Sequence, residues 1–270
     1  MFEKTKKVSD SLKTVERTLQ ILEAFSLKEP EFTAYELAKK IGIPQSTIYR
    51  FLRILVRKGF LEQDPITKKF RLGIKVFELG SIVLKNMKLH KIALPFIEEL
   101  SNKSGETVHL GILDGCEVVS IESIESTQSL RIASPIGKRC CLHSTGIGKA
   151  ILAFLPDEKI MEIVKNKGLP KFTPNTITDI DSLKREISLI RERGYAVDNQ
   201  ENEIGIRCVA APIRDYTGKV IASISISGPA IRITNEKIPE FAKLVIEISS
   251  KISALLGYKP PSTNNFCRIK

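Results

Sequence analysis

The sequence predicts an α+β chain of two unequal units. Its 270 residues, 42% apolar and 27% charged, suffice for about two globular domains at roughly 150 residues each. The first quarter reads as three short amphipathic helices closed by a hairpin. The remainder mixes strand patterns with helical ones in no regular alternation, which favours α+β over a doubly wound sheet. The expected boundaries are a first domain at 11–73, a linker helix at 74–88, a second domain at 89–258 and a flexible polar tail at 259–270.

From Leu12 the apolar positions Leu12, Val15, Leu19, Leu22 and Phe25 step by three and four, so the first helix is expected to bury that face. Thr33 stands as N-cap of a second helix with Glu36 in capping-box position. Leu37, Ala38 and Ile41 form its apolar side, and Gly42-Ile43-Pro44 ends it. A third helix has Ile48, Phe51, Leu52, Leu55 and Val56 as its expected buried face, and Lys58-Gly59 stops it. Phe60–Gln63 and Lys69–Leu72 read as two strands around an Asp64-Pro65 turn. Ile74–Met87 then reads as a linking helix, with Val76, Leu79 or Gly80, Val83, Leu84 and Met87 on one side.

The second and third helices have the proportions of a helix-turn-helix. With the apolar face of helix three buried, its other face presents Gln45, Ser46, Thr47, Tyr49, Arg50 and Arg53. Gln pairs bidentately with adenine and Arg with guanine in the major groove. Hydroxyls, including that of Thr33, suit phosphates. The hairpin adds Lys68, Lys69 and Arg71 as a basic wing. Residues 1–75 hold 16 basic and 9 acidic side chains, a net of +7 within a chain of +11, and such a surplus attracts polyanions. Double-stranded DNA is therefore the expected partner. The competing reading is a basic protein-docking module.

In the second domain, Val108–Leu113 and Val118–Ile124 flank Asp114-Gly115, a hairpin signal. Residues 92–104, Ile147–Phe154, Asp157–Asn166, Ile180–Arg193 and Pro239–Leu256 read as helices. Tyr195–Asp198, Cys208–Arg214 and Val220–Ser227 read as strands. Catalytic patterns are missing. His90, His109 and His143 stand outside any His-Glu-x-x-His spacing, and no Gly-x-Ser-x-Gly elbow occurs. Gly146-Ile147-Gly148-Lys149 fails as a phosphate loop, because His143 and Ala150 occupy required Gly and Ser/Thr positions. It reads instead as a tight turn entering a helix. Cys140, Cys141 and His143 would need a further ligand to hold a soft metal, and cysteines buried in a strand are the simpler reading. The chain is expected to be no enzyme and to need no metal or cofactor.

Ser223-Ile224-Ser225-Ile226-Ser227 alternates, so its serines share one face. They face either water or a polar pocket shared with Asp198, Cys208 and the Thr145-Gly146 turn. The residues leave those two readings open. Five cysteines without repeated spacing fit a reducing compartment. No signal-peptide pattern or membrane-length apolar run occurs, so a cytoplasmic protein without a membrane partner is expected.

Several segments, in order, resemble the IclR family of bacterial transcription regulators. They are Gly42-Ile43-Pro44-Gln45-Ser46-Thr47-Ile48-Tyr49-Arg50, Phe70-Arg71-Leu72-Gly73, Gly105-Glu106-Thr107-Val108-His109-Leu110, Leu142-His143-Ser144-Thr145-Gly146-Ile147-Gly148-Lys149-Ala150, Arg193-Gly194-Tyr195-Ala196-Val197-Asp198-Asn199-Gln200-Glu201, Gly205-Ile206-Arg207-Cys208-Val209-Ala210-Ala211-Pro212-Ile213 and Ser225-Ile226-Ser227-Gly228-Pro229. The resemblance spans roughly 11–258. It implies an N-terminal winged helix-turn-helix domain, a linker helix and a C-terminal GAF-like α/β effector-binding domain. It further implies a homodimer or homotetramer, repression of a pseudo-palindromic operator, and control by a small organic or sugar acid. Effector-binding positions carry over onto Thr145, Gly146, Ile147, Asp198, Ile206, Cys208, Ser225 and Ser227. The alternative is a small-molecule-binding enzyme or sensor that uses its winged helix to dock proteins.

Overall fold

The structure, a computed structural model, describes residues 10–260. The expected tail from Pro261 onward lies outside the described residues. Contacts divide the chain between Asn86 and Met87, and each unit has its own core.

In the first unit, α1 (Asp10–Glu23), β1 (Glu31–Phe32), α2 (Ala34–Ile41), α3 (Gln45–Arg57), β2 (Leu61–Gln63), β3 (Phe70–Leu72) and α4 (Ile74–Asn86) follow in order. Thr33 caps α2 in a complete capping box with Glu36. Gly42, in the left-handed region at φ 75°, lets the chain turn sharply into α3, a conformation costly for residues with a Cβ. The three strands pair antiparallel in the order β1-β3-β2. Ile21, Leu37, Ile48, Leu52, Leu61 and Phe70 are buried together beneath them.

Three apolar faces differ from expectation. On α1, Leu12, Val15 and Leu19 are more than half exposed, and the anchor is Ile21, fully buried, with Phe25 beyond the helix end. On α4 no residue is buried, and Leu79 and Val83 of the expected apolar side lie in solvent beside Phe77 and Ile82. Val56 of α3 is exposed as well. Periodicity reports that a face is apolar but says nothing of what covers it.

The second unit comprises α5 (Lys88–Ser104), β4 (Thr107–Asp114), β5 (Glu117–Ile124), β6 (Arg139–Cys141), α6 (Gly146–Leu152), α7 (Asp157–Lys167), α8 (Ile180–Arg193), β7 (Ala196–Asn199), β8 (Ile206–Arg214), β9 (Val220–Pro229) and α9 (Ile238–Leu255). Helix α5 begins four residues before expectation and carries Pro95 within it. All strands join one antiparallel sheet in the order β6-β5-β4-β9-β8-β7. Strand alternation sends one set of side chains to each face. Val108, Leu110, Val209, Ala211, Ile224 and Ile226 pack with α5 and α9. Ala196, Ala210 and Val118 pack with α6, α7 and α8. This is the GAF-like arrangement, and the overall class is α+β. Among the described residues no helix is long and apolar enough to cross a membrane.

Candidate functional site

Two sites follow from this scaffold, one in each unit. On α3, Ile48, Leu52 and Leu55 are buried. The rotation this fixes leaves Gln45, Ser46, Tyr49, Arg50 and Arg53 exposed, with Thr47 half-buried. Among the described residues neither Arg50 nor Arg53 has a carboxylate partner, so both guanidiniums stay available.

The wing is less free than its sequence suggests. Lys69 Nζ reaches Glu31 Oε1 at 2.7 Å, and that hydrogen bond raises the Lys69 pKa. Arg71 Nη2 lies 3.0 Å from Glu62 Oε2. Both cations bind carboxylates across the small sheet, so only Lys68 at the hairpin tip remains unpaired among the described cations of the wing. Lys68 also has φ 59°, and Gln63 Nε2 donates to its carbonyl at 3.0 Å. The Thr33 hydroxyl is committed too, donating to Glu36 Oε2 at 2.9 Å and accepting from the Glu36 amide at 3.2 Å.

In the second unit, a cavity of about 430 Å³ opens on the sheet face opposite α5 and α9. The turn into α6 contributes Thr145, Gly146 and Ile147, β7 contributes Asp198, β8 contributes Ile206 and Cys208, and β9 contributes Ser225 and Ser227. Ser225 and Ser227 thus face the cavity rather than water, because Ile224 and Ile226 are committed to the α5–α9 core. Ser223 is also fully buried and donates to the Ala211 carbonyl at 2.9 Å. Gly146 lets α6 sit against β8, since a Cβ there would lie 3.2 Å from that of Cys208.

Other lining residues gave little sign in the sequence. His109 on β4 stands opposite Ser225 in register, so strand alternation alone would have placed it there. Its Nδ1 lies 3.0 Å from Ser123 Oγ. The segment between β5 and β6 supplies Leu130 to Ser134 and Lys138 to the lining. It carries no helix or strand pattern. It is tied down by Thr107 Oγ1 donating to the Ile132 carbonyl at 3.0 Å and by Arg232 Nη2 donating to the Leu130 carbonyl at 2.8 Å. Arg232 is itself clamped on the buried Glu106 carboxylate at 2.5 and 2.7 Å.

The cavity walls are electrostatically tuned. Burial pushes the Asp198 carboxyl up to about 7, against the Glu201 amide that donates to its Oδ1 at 2.7 Å. Burial, helped by the Lys138 charge, pushes His109 down to about 4, so its ring is neutral. Burial also raises the thiols of Cys208 and Cys140, which makes them poor nucleophiles. Cys140, Cys141 and His143 do not converge. Cys140 faces this cavity, while Cys141 and His143 line a separate small hollow. His143 Nε2 is bonded to the Pro170 carbonyl at 3.0 Å.

Comparison with known proteins identifies the scaffold. The model of the IclR helix-turn-helix domain matches residues 14–65, and that of the bacterial transcriptional regulator IclR C-terminal domain matches residues 81–254. The chain belongs to the IclR family. The HTH-type transcriptional regulator KdgR of Escherichia coli is 38% identical over 252 residues, covering 93% of this chain and 95% of that protein. The HTH-type transcriptional repressor AllR of Escherichia coli is 35% identical over 245 residues, covering 91% of this chain and 90% of its own. The crystal structure of the Thermotoga maritima IclR has a TM-score of 0.76 at 40% identity and covers 91% of this chain and 99% of its own. An IclR homologue from Microbacterium hydrocarbonoxydans, crystallised with 4-hydroxybenzoate, has a TM-score of 0.79 at 27% identity over 90% of this chain and 98% of its own. This IclR-family chain is therefore a transcriptional regulator, and the reading of it as an enzyme docked by its winged helix falls away.

Proposed function

We propose that the chain represses transcription as a dimer whose operator affinity is set by a small organic or sugar acid in the second-unit cavity. The observation that carries the reading is the pairing, in one chain, of an unpartnered Gln45–Arg53 reading face with a largely apolar cavity that carries a few convergent polar groups. Two recognition helices related by a two-fold axis would read the half-sites of a pseudo-palindromic operator, Arg50 and Arg53 on base edges and Lys68 on the backbone. The exposed apolar residues Leu12, Val15 and Leu19 of α1 and Phe77, Ile82 and Val83 of α4 supply the surface that a second copy would cover. Pairing of such dimers would give a tetramer.

The acid reading rests on the disposition of charge. Lys138 lines the cavity from the connecting segment beside Arg131, whose Nε is held by Glu125 Oε2 at 2.8 Å, and Asp198, Ser225 and Ser227 line its floor. The Lys138 ammonium suits a carboxylate, and the floor suits hydroxyls. A relative crystallised with the aromatic acid 4-hydroxybenzoate supports a carboxylate ligand. A ligand favouring one arrangement of the chain over another shifts DNA affinity by its differential affinity.

The test is operator binding followed by fluorescence anisotropy, with a panel of small hydroxy acids, sugar acids and aromatic acids set against their amides. Release of DNA by one or more acids, without release by the matching amides, is expected. An amide as effective as its acid would refute the carboxylate reading. Variants Asp198→Ala and Ser227→Ala should retain DNA affinity while losing the response.

A further inference from the structure

One feature beside the cavity is a charge held within the core. Lys149 on α6 is 1% exposed, one turn beyond Thr145-Gly146-Ile147. Its ammonium lies 2.5 Å from Glu201 Oε1 and 3.4 Å from Glu186 Oε1. Glu201 belongs to the segment after β7, whose following residues Asn202 to Gly205 line the cavity. The same carboxylate accepts from the Asn199 amide at 3.3 Å, while Glu201's own amide donates to Asp198 at 2.7 Å. Its second oxygen, Oε2, is buried with no partner. Replacing a buried pair with apolar groups of similar volume is often neutral or stabilising, so stability alone gives no reason for a lysine here.

We propose that Lys149 and Glu201 are the positioning residues of the cavity: the pair fastens the Asn199–Gly205 segment to α6 and fixes the charge that Asp198 presents to a ligand. The inference rests on the effector reading of the cavity. The geometry makes Asp198 the group through which the pair acts. The ionisable groups around Asp198 are Glu201 from its own segment, Lys149 from α6, Cys208 from β8 and Cys140 from β6. Glu186 and, behind it, Arg193 at 2.9 Å close the network from α8. The thiols are raised by burial and stay neutral. The balance is therefore between the cations Lys149 and Arg193 and the carboxylates Asp198, Glu201 and Glu186. An acidic ligand arriving beside a charged Asp198 is repelled, and beside a protonated one it gains a donor.

The test uses the full-length, ligand-free protein. Carboxyl ¹³C NMR on Asp- and Glu-labelled protein follows the titration, with the Asp198 signal assigned by its loss in Asp198→Asn. In the wild type one such carboxyl should titrate near neutrality. Glu201→Gln removes a carboxylate, and the Asp198 midpoint should fall by about one pH unit or more. Lys149→Gln leaves the carboxylates in excess, so the midpoints of Asp198 and Glu201, both already raised by burial in the wild type, should together rise further. A merely structural role would not move the two variants in opposite directions, and either variant alone decides the matter if the other does not fold. An Asp198 midpoint unchanged in the folded variants would overturn the proposal. Because no ligand enters the measurement, a failed acid panel would refute the effector reading and leave this result standing.

Discussion

Gly148 offers the sharpest test of how the cavity is built. It lies in the first turn of α6, directly after the residues that form the cavity wall. A Cβ at this position would lie 2.5 Å from the Leu142 carbonyl oxygen, 2.6 Å from Leu142 Cα and 2.6 Å from Thr145 Oγ1. Two of these atoms are backbone, so no rotamer change relieves the overlap. The third is the N-cap oxygen that accepts from the Gly148 amide at 3.1 Å. Gly148→Ala must therefore displace the α6 turn or break its cap. Overpacking of this kind costs about 1 to 3 kcal/mol, and a lost cap about 1 kcal/mol more. A total of about 3 kcal/mol should lower the melting temperature of a unit of this size by roughly 6 to 12 °C.

Differential scanning calorimetry of the full chain reads this directly. Gly80→Ala is the matched control, since nothing lies within 4 Å of its would-be Cβ and it sits inside α4. That change should be neutral or stabilising by up to about 1 kcal/mol. A Gly148→Ala protein melting within about 1 °C of the wild type would refute the close seating of α6 on Leu142, the shift being far below that worked from the overlap.

Other perturbations separate the remaining parts of the account. Arg50→Ala and Arg53→Ala should each weaken operator binding by about 1 to 3 kcal/mol, roughly 5- to 150-fold, with an unchanged circular dichroism spectrum. Phe77→Glu combined with Val83→Glu should shift the chain to monomer in sedimentation velocity, and an unaltered dimer would place the interface elsewhere. Asp198 and His109 should give opposite pH dependences of stability. The folded carboxyl, raised from 3.8 to about 7, holds more protons than the unfolded one, so its contribution falls as pH rises through that window. The folded imidazole, lowered from 6.5 to about 4, holds fewer, so its contribution falls as pH drops through its own. Between pH 4 and 6.5 the slopes oppose at up to about 1.4 kcal/mol per pH unit each. Urea melts of Asp198→Asn should then gain stability with rising pH, and those of His109→Gln should lose it. Equal slopes in the two variants would contradict the assignment.

Much of the fold was legible because local chemistry and tertiary demand agree. The capping box at Thr33 and the Gly42 turn are written in residues that act over a few positions. The β4–β5 hairpin was legible too, but its turn falls on Gly115-Cys116, one residue beyond the expected Asp114-Gly115, because Asp114 pairs with Glu117. The two-residue strand β1 left no pattern to read, because its existence depends on β3 lying beside it. The apolar stripe of α1 was legible, but its exposure was not, since burial depends on what lies opposite. In the cavity, alternation along Ser223–Ser227 placed the serines on one face, and only the packing of Ile224 and Ile226 decided which face lines the cavity. The residues between β5 and β6, Lys149 and Glu201 were illegible for a shared reason. Their placement comes from contacts distant in sequence, such as Lys149 with Glu201 and Arg232 with Glu106.

The central claim is that the exposed face of α3 reads DNA. Its most direct test is fluorescence anisotropy of the full chain on the DNA upstream of its own gene and on unrelated DNA of equal length, over a salt series. The account predicts binding to the upstream DNA that persists at moderate salt and exceeds the unrelated DNA, with Arg50→Ala erasing that difference. Equal affinity for both DNAs, collapsing together as salt rises and indifferent to Arg50, would leave only the sequence-independent electrostatic contribution and would contradict it.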